Sequence, residues 1–306
     1  MQNRRQFLER GALASGALLA SRKLAMATDR IEQTSLDANG FKFNALSAGP
    51  KNGDLVLFLH GFPQFADAWA SILGPVASLG FHAVAVDQRG YSPKARPAAI
   101  DDYAVEHLSS DILGFADSLG AKRFHLVGHD WGGAVAWATA AHAPDRLLTL
   151  TVLSTPHMDA LSAALQSDPD QQKRSAYFQL FRAPDHAAEK ALLADDAKLL
   201  RGAYGGKVPE AEVNSNVRRF EQNGTLTAAL NWYRAMNLAK PLGPVSVPAM
   251  YIWGDQDQAL GETAALTTQK YCSGPYSFER LYGKSHWLME ECPDEIVELL
   301  HQQLAG

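Results

Sequence analysis

Phe124-His125-Leu126-Val127-Gly128-His129-Asp130-Trp131-Gly132-Gly133 decides how this chain folds. The first four residues are apolar and β-prone, and the stretch that follows, Ala134 to His142, is Ala-rich and helix-prone. A strand therefore hands over to a helix across six residues. Gly128 and Gly132 stand two positions either side of Asp130, where a sharp turn leaves no room for a Cβ. The pattern is small-x-nucleophile-x-small, an elbow with Asp where Ser is usual. A carboxylate at a helix N-terminus is favoured by the dipole and the free N–H groups. It is already a nucleophile at neutral pH and needs no base for attack. It forms an ester with a substrate carbon, which water must then cleave. An Asp in this place can equally be a simple N-cap, so the rest of the chain decides.

Working outward, Ile31 to Leu36 and Phe41 to Ala48 read as strands joined by an Asn39-Gly40 turn. Leu55 to Leu59 is a continuous apolar run ending in His60-Gly61-Phe62-Pro63, as suits a strand buried on both faces. A helix around Trp69 to Leu79 precedes a second such strand, Phe81 to Val86, which ends in Asp87-Gln88-Arg89-Gly90-Tyr91-Ser92. A helix over Val105 to Leu119 leads to the elbow strand, and Leu148 to Leu153 follows as the next strand. This alternation predicts an α/β fold: a mostly parallel twisted sheet with helices on both faces.

The alternation stops at Thr155-Pro156-His157. Up to about Gly243 the pattern is helical or irregular, broken at Pro169, Pro184, Gly205-Gly206, Pro209 and Gly224. Strand patterns resume at Pro248 to Trp253 and Tyr276 to Tyr282, and a helix over Asp294 to Leu304 closes the chain. The expected organisation is a core of residues 28–155 and 245–306 with an inserted helical lid, residues 156–244.

An Asp elbow needs a base, an orienting acid and an oxyanion hole. His286, in Gly283-Lys284-Ser285-His286-Trp287, follows the last strand at the carboxyl end of the sheet, where open α/β sheets bind ligands. The acid falls in Trp253-Gly254-Asp255-Gln256-Asp257, and spacing alone leaves Asp255 and Asp257 as rivals. Such an acid accepts a hydrogen bond from the imidazole and fixes its tautomer. The hole is expected from the backbone N–H groups of Trp131 and Phe62.

Together these motifs, with Ser154-Thr155-Pro156-His157, resemble the epoxide hydrolase branch of the α/β-hydrolases over nearly the whole chain. The resemblance implies the α/β-hydrolase fold, with Asp130 as nucleophile, His286 as base and Asp257 as acid. It also implies two lid tyrosines that hydrogen-bond the epoxide oxygen. Tyr233, in Asn231-Trp232-Tyr233-Arg234, is similar to the second of these, and Tyr177, in Ala176 to Phe181, to the first; Tyr204 is a third candidate. Expected substrate contacts are His60, Trp131, Tyr233 and Tyr177. The substrate class implied is a small apolar epoxide, opened to a vicinal diol. No cofactor is implied, since neither step needs a metal or redox group, and no Cys/His metal spacing is present.

A haloalkane dehalogenase shares the Asp nucleophile and the Trp after it, but a leaving halide wants indole or amide N–H donors. That family often has Asn or Glu after His-Gly, where this chain has Phe62. A fluoroacetate dehalogenase needs arginines beside the nucleophile, where this chain has Trp131 and Ala134. Asp130 itself argues against a serine esterase. A non-catalytic ligand-binding relative has no need of the set Asp130, Asp257 and His286.

The 306 residues, 46% hydrophobic, suffice for one large core with an insertion, and a net charge of −5 gives no basic patch for nucleic acid. Residues 1–27 resemble a bacterial twin-arginine export signal. Asn3-Arg4-Arg5-Gln6-Phe7-Leu8 leads into a weakly apolar stretch, Gly11 to Ala20, and Ala25-Met26-Ala27 offers a cleavage site. That run is too short to span a bilayer. The leader implies passage through the twin-arginine translocation machinery and a periplasmic or secreted protein, without stable membrane insertion. Its removal takes the net charge to −9, because it carries five basic residues and one acidic one. Cys272 and Cys292 are compatible with a disulfide or with two free thiols.

Overall fold

The computed structural model describes residues 30–222 and 224–305. The leader motif lies outside these residues. Eight strands form one sheet in the order β1-β2-β4-β3-β5-β6-β7-β8. They are β1 (Glu32–Ala38), β2 (Phe41–Ala48), β3 (Leu55–Leu59), β4 (His82–Val86), β5 (Phe124–His129), β6 (Leu147–Leu153), β7 (Ala249–Gly254) and β8 (Tyr276–Leu281). The first hairpin and the β2–β4 pair are antiparallel, and every other pair is parallel.

Every residue of β3, β4, β5 and β7 is buried, which is why these segments read as unbroken apolar runs. Strand β1, at the edge, leaves five of its seven residues exposed. Its pairing runs on to Ala38↔Phe41, beyond the expected end at Leu36. The turn uses only Asn39 and Gly40, both with positive φ, so the strands stay paired up to it.

Helices Ala70–Ser78 and Pro293–Ala305 pack on one face of the sheet and Val105–Ser118 and Trp131–His142 on the other. The elbow helix begins at Trp131, three residues before the expected Ala134. Gly132 lies against the end of β3, where an added Cβ would collide with the Leu59 carbonyl. Between β6 and β7 the described residues hold six helices and no strand: Met158–Ser167, Pro169–Arg174, Tyr177–Phe181, Ala187–Ala203, Glu210–Phe220 and Thr225–Ala235. The helix Ala187–Ala203 is kinked, with Asp195, Asp196 and Ala197 all left-handed. Cys272 and Cys292 are free thiols, each donating to a helical carbonyl four residues earlier.

Because β3, β5, β6, β7 and β8 are parallel, their carboxyl ends share one edge of the sheet. Leu59 pairs with Gly128, so His60-Gly61-Phe62 leaves β3 beside His129-Asp130 leaving β5. Gly254 pairs with Leu281, so the loops carrying Asp257 and His286 leave side by side.

Candidate active site

Asp130 occupies the turn with φ 49° and ψ −120°, a strained conformation for a residue with a side chain. The fold holds it there from several sides. Gly61 leaves no room for a Cβ against the Asp130 side chain, and Thr155 Oγ1 donates to the Asp130 carbonyl at 2.8 Å. The Phe62 N–H donates to Asp130 Oδ1 at 2.7 Å, and the Trp131 amide adds to the field that favours the charged carboxylate. The Phe62-Pro63 peptide is cis.

The carboxylate's other oxygen, Oδ2, lies 3.5 Å from His286 Nε2. On the far side of the ring, Nδ1 donates to Asp257 Oδ2 at 2.8 Å. Asp257 Oδ1 accepts from the Ala259 and Leu260 N–H groups at 2.8 and 3.0 Å, so its carboxylate is fixed at both oxygens. Of the two aspartates that spacing left as rivals, Asp257 is the one that meets the imidazole. Asp255 instead accepts the Gly283 N–H at 2.7 Å and holds the turn after β8.

Burial alone would raise the Asp130 carboxyl, but the hydrogen bond and charge of His286 outweigh it and hold the group below its ordinary 3.8. Burial likewise opposes charge on His286, yet Asp257 and Asp130 on its two sides raise it from 6.5 to about 10. The resting site is an imidazolium between two carboxylates.

In front of Asp130 lies a cavity of about 650 Å³. Its walls include Phe62, Tyr177, Phe181, Leu192, Tyr233 and Trp287. The rings of Tyr177 and Tyr233 meet edge-on with centroids 6.1 Å apart, and the Trp131 indole packs on Tyr233 at 5.0 Å. Burial, with the nearby Asp130 charge, pushes both phenols far above 10, so both keep their protons.

Two expectations need correction. His60 does not line this cavity. It is fully buried, with Nδ1 3.1 Å from the Gly61 carbonyl and Nε2 accepting the Gln88 N–H at 3.3 Å. Burial lowers it to about 3, which makes it a neutral strut between two loops. Tyr204 gives its hydroxyl to the Pro63 carbonyl at 2.6 Å and so steadies the loop that carries the Phe62 N–H. Trp131, expected as a substrate contact, borders a narrow passage beside Asp130.

Several supporting residues escaped the sequence reading. His129 Nε2 and Ser154 Oγ both donate to the His286 carbonyl at 2.9 Å. Arg174 donates to the Asp257 carbonyl. Gln64 Nε2 donates to Glu290 Oε1 at 2.5 Å and ties the Phe62 loop to the His286 loop. Arg219 reaches from the inserted helices to Asp87 at 2.5 Å and Asp67 at 3.0 Å, stacked on Phe65. Only His129 and Ser154 sat in motifs that could have flagged them; the others are set by packing between distant segments.

An acidic elbow after β5, a second carboxylate after β7 and an imidazole after β8, all at the carboxyl end of the sheet, define a class of hydrolytic fold. Residues 54–293 match the alpha/beta hydrolase fold family, and the chain belongs to that family. It is 33% identical over 285 residues to the AB hydrolase superfamily protein YfhM of Bacillus subtilis, covering 90% of this chain and 99% of that one. It is 31% identical over 316 residues to epoxide hydrolase A of Mycobacterium tuberculosis, covering 89% and 96%. A solved structure of the Bacillus megaterium epoxide hydrolase in complex with an inhibitor matches with a TM-score of 0.81 at 27% identity, over 89% of this chain and all (100%) of that one.

Proposed function

We propose that the protein hydrolyses epoxides to vicinal diols through an ester on Asp130. The observation that carries the reading is that Tyr177 and Tyr233 line the same cavity as the Asp130 carboxylate. An alkoxide is a poor leaving group, so ring opening needs a proton donor at the oxygen. The named epoxide hydrolases among the relatives support the same choice.

Asp130 Oδ2 attacks one oxirane carbon from behind, and the C–O bond on that carbon breaks. Tyr233 and Tyr177 hydrogen-bond the departing oxygen, which gains one proton. The imidazolium of His286 makes that proton good, so the site now holds a neutral imidazole and an ester. With the Asp130 charge consumed, one of the two carboxylates that raised His286 is gone, and the ring becomes a base. It takes a proton from water, and the hydroxide adds to the Asp130 Cγ. Charge builds on Oδ1, which already accepts the Phe62 N–H, with the Trp131 amide beside the same carboxylate. Collapse releases the diol and restores carboxylate and imidazolium.

In this reading residues 156–244 act as a lid that supplies the tyrosines and excludes water. The export reading of residues 1–27 makes the enzyme periplasmic or secreted. Cell fractionation with and without Arg4→Lys and Arg5→Lys tests that, and a protein found in the cytoplasm either way removes it.

The second reading is haloalkane dehalogenation by the same triad. Trp131 would then give its indole N–H to a halide, but that indole packs edge-on against Tyr233 at 5.0 Å. Mature protein assayed on styrene-type and aliphatic epoxides, and in parallel on chloro- and bromoalkanes, separates the two. Diol without halide is expected. Halide release with no diol overturns the proposal.

A further inference from the structure

Two neighbouring glutamates follow His286 and meet opposite surroundings. Lys207 reaches Glu291 Oε1 at 3.1 Å, and the Ser285 N–H and hydroxyl both donate to Glu291 Oε2. Burial opposes charge on Glu291, but these contacts outweigh it and hold the group below its ordinary 4.5. Glu290 is placed differently. Gln64 Nε2 donates to its Oε1 at 2.5 Å. Its other oxygen, Oε2, is buried with no partner among the described residues, and so is Gln64 Oε1.

An ionised carboxylate only accepts hydrogen bonds, and so does an amide oxygen. Two facing head groups that each bury an orphaned acceptor are short of one donor, and a buried polar atom without a partner is costly. A carboxylic acid carries the missing O–H.

The groups around Glu290 do not supply a counter-charge in place of that proton. Lys207 is spent on Glu291. Glu212, on the helix Glu210–Phe220, opposes ionisation of Glu290. Asp67 lies on the turn Ala66–Trp69, which packs against Leu288–Glu291. Burial keeps the nearby Tyr204 phenol and Cys292 thiol protonated. Burial first, and then Glu212, push the Glu290 carboxyl from 4.5 to about 7, against the pull of Gln64 and His286.

Gln64 stands where it bears on the chemistry. Its N–H closes a turn onto the Gly61 carbonyl at 2.9 Å, and Phe62, whose N–H holds Asp130 Oδ1, lies inside that turn. Glu290 lies in the short helix Leu288–Glu291, which follows His286 directly. The pair therefore joins the loop of the oxyanion donor to the loop of the base.

We propose that Glu290 works as a neutral carboxylic acid, its Oε2–H donating to Gln64 Oε1, and that this two-bond clasp positions the Phe62 N–H for ester hydrolysis. Glu290 is a positioning residue in this account. The step it serves rests on the epoxide reading; the proton on Glu290 does not.

Infrared spectra of the full chain without substrate read the proton. A carboxylic-acid carbonyl band is expected at mildly acid pH, lost as pH rises through about 7 and missing from Glu290→Gln. Rapid-quench kinetics reads the clasp. In the wild type the rise of ester hydrolysis with pH breaks above about 7. In Glu290→Gln, whose amide makes the same two bonds and cannot ionise, the rise continues. Losing an oxyanion donor outright costs about a hundredfold or more, so Glu290→Ala, which only loosens one, is expected to slow hydrolysis about tenfold. Ring opening stays within about twofold, because the Phe62 donor serves the second step. A Glu290→Gln enzyme as slow as Glu290→Ala, or no acid band at mildly acid pH, overturns the proposal. A band with no epoxide turned over sinks the epoxide reading and leaves the proton standing. The clasp is then read from thermal melts, where Glu290→Ala is expected to fall below Glu290→Gln, and equal melts overturn it.

Discussion

The Phe62 N–H reaches Asp130 Oδ1 at 2.7 Å, which in the proposed mechanism seats one oxygen of the nucleophile in the oxyanion hole. That single contact divides the carboxylate. In the proposed mechanism charge builds on Oδ1 during ester hydrolysis, and Oδ2, which faces His286, is the oxygen that attacks. The division makes the two chemical steps separable by substitution.

In the proposed mechanism His286→Gln removes the base for the second step and slows the first, which draws on the imidazolium proton, while leaving Asp130 in place to attack. Intact-mass spectrometry after mixing with an epoxide is expected to show a stable adduct of one substrate mass. The adduct is expected to be absent from Asp130→Ala, with turnover down by at least about a thousandfold in both variants. Near-normal turnover by Asp130→Ala contradicts the account.

In the proposed mechanism the tyrosines act only in ring opening. Tyr233→Phe and Tyr177→Phe are each expected to slow that step by about a hundredfold or more. Neither should accumulate the ester, because hydrolysis of any ester formed proceeds normally. Rapid-quench kinetics reads both quantities. An ester that builds up in Tyr233→Phe places that hydroxyl in the wrong step.

The pH dependence follows from the imidazolium between two carboxylates. Opening consumes its proton, so the single-turnover opening rate is flat through neutral pH and falls as pH rises through about 10. Hydrolysis needs neutral imidazole in the ester, where His286 titrates lower because Asp130 has lost its charge. Its rate therefore rises with pH, and the ester accumulates on the acid side. The same raised pKa contributes stability that is fully present below 6.5 and lost as pH rises through about 10. Thermal melts of wild type and His286→Gln across that window should converge at the alkaline end.

How much of this was legible in the sequence depends on the range of the forces involved. The elbow was legible because small residues at ±2 from Asp130 are a local steric demand, and the central strands because burial on both faces leaves unbroken apolar runs. His60 was misread for a reason of the same kind. Its motif marks the loop correctly, but the side chain turns inward to meet the Gln88 N–H, a contact set by the β3–β4 pairing. Tyr204 looked like a lid hydroxyl and serves the Pro63 carbonyl instead, 141 residues away. Asp257 and Asp255 differ by two residues, and only the relative placement of the loops after β7 and β8 tells them apart.

Arg89 and Asp111 illustrate a stabilising contact beyond sequence reach. Nε and Nη2 of Arg89 donate to the two Asp111 oxygens at 2.7 and 2.8 Å, with side chains only 5% and 2% exposed. The Arg89 carbonyl also accepts the Trp232 indole N–H at 2.8 Å, which joins the core to the inserted helices. Asp111→Ala strands a buried guanidinium and is expected to cost about 3–5 kcal/mol in denaturant unfolding. A loss below about 1 kcal/mol would show that water reaches and solvates this arginine.

The central claim is that the oxygen added to the substrate comes from Asp130 and is replaced by water at Cγ. Excess enzyme is mixed with one epoxide in oxygen-18 water for a single turnover, and the diol and the peptide containing Asp130 are weighed. The account predicts an unlabelled diol and one heavy oxygen on Asp130. A labelled diol with an unlabelled Asp130 would mean that water attacks the epoxide directly, and the covalent mechanism would be wrong.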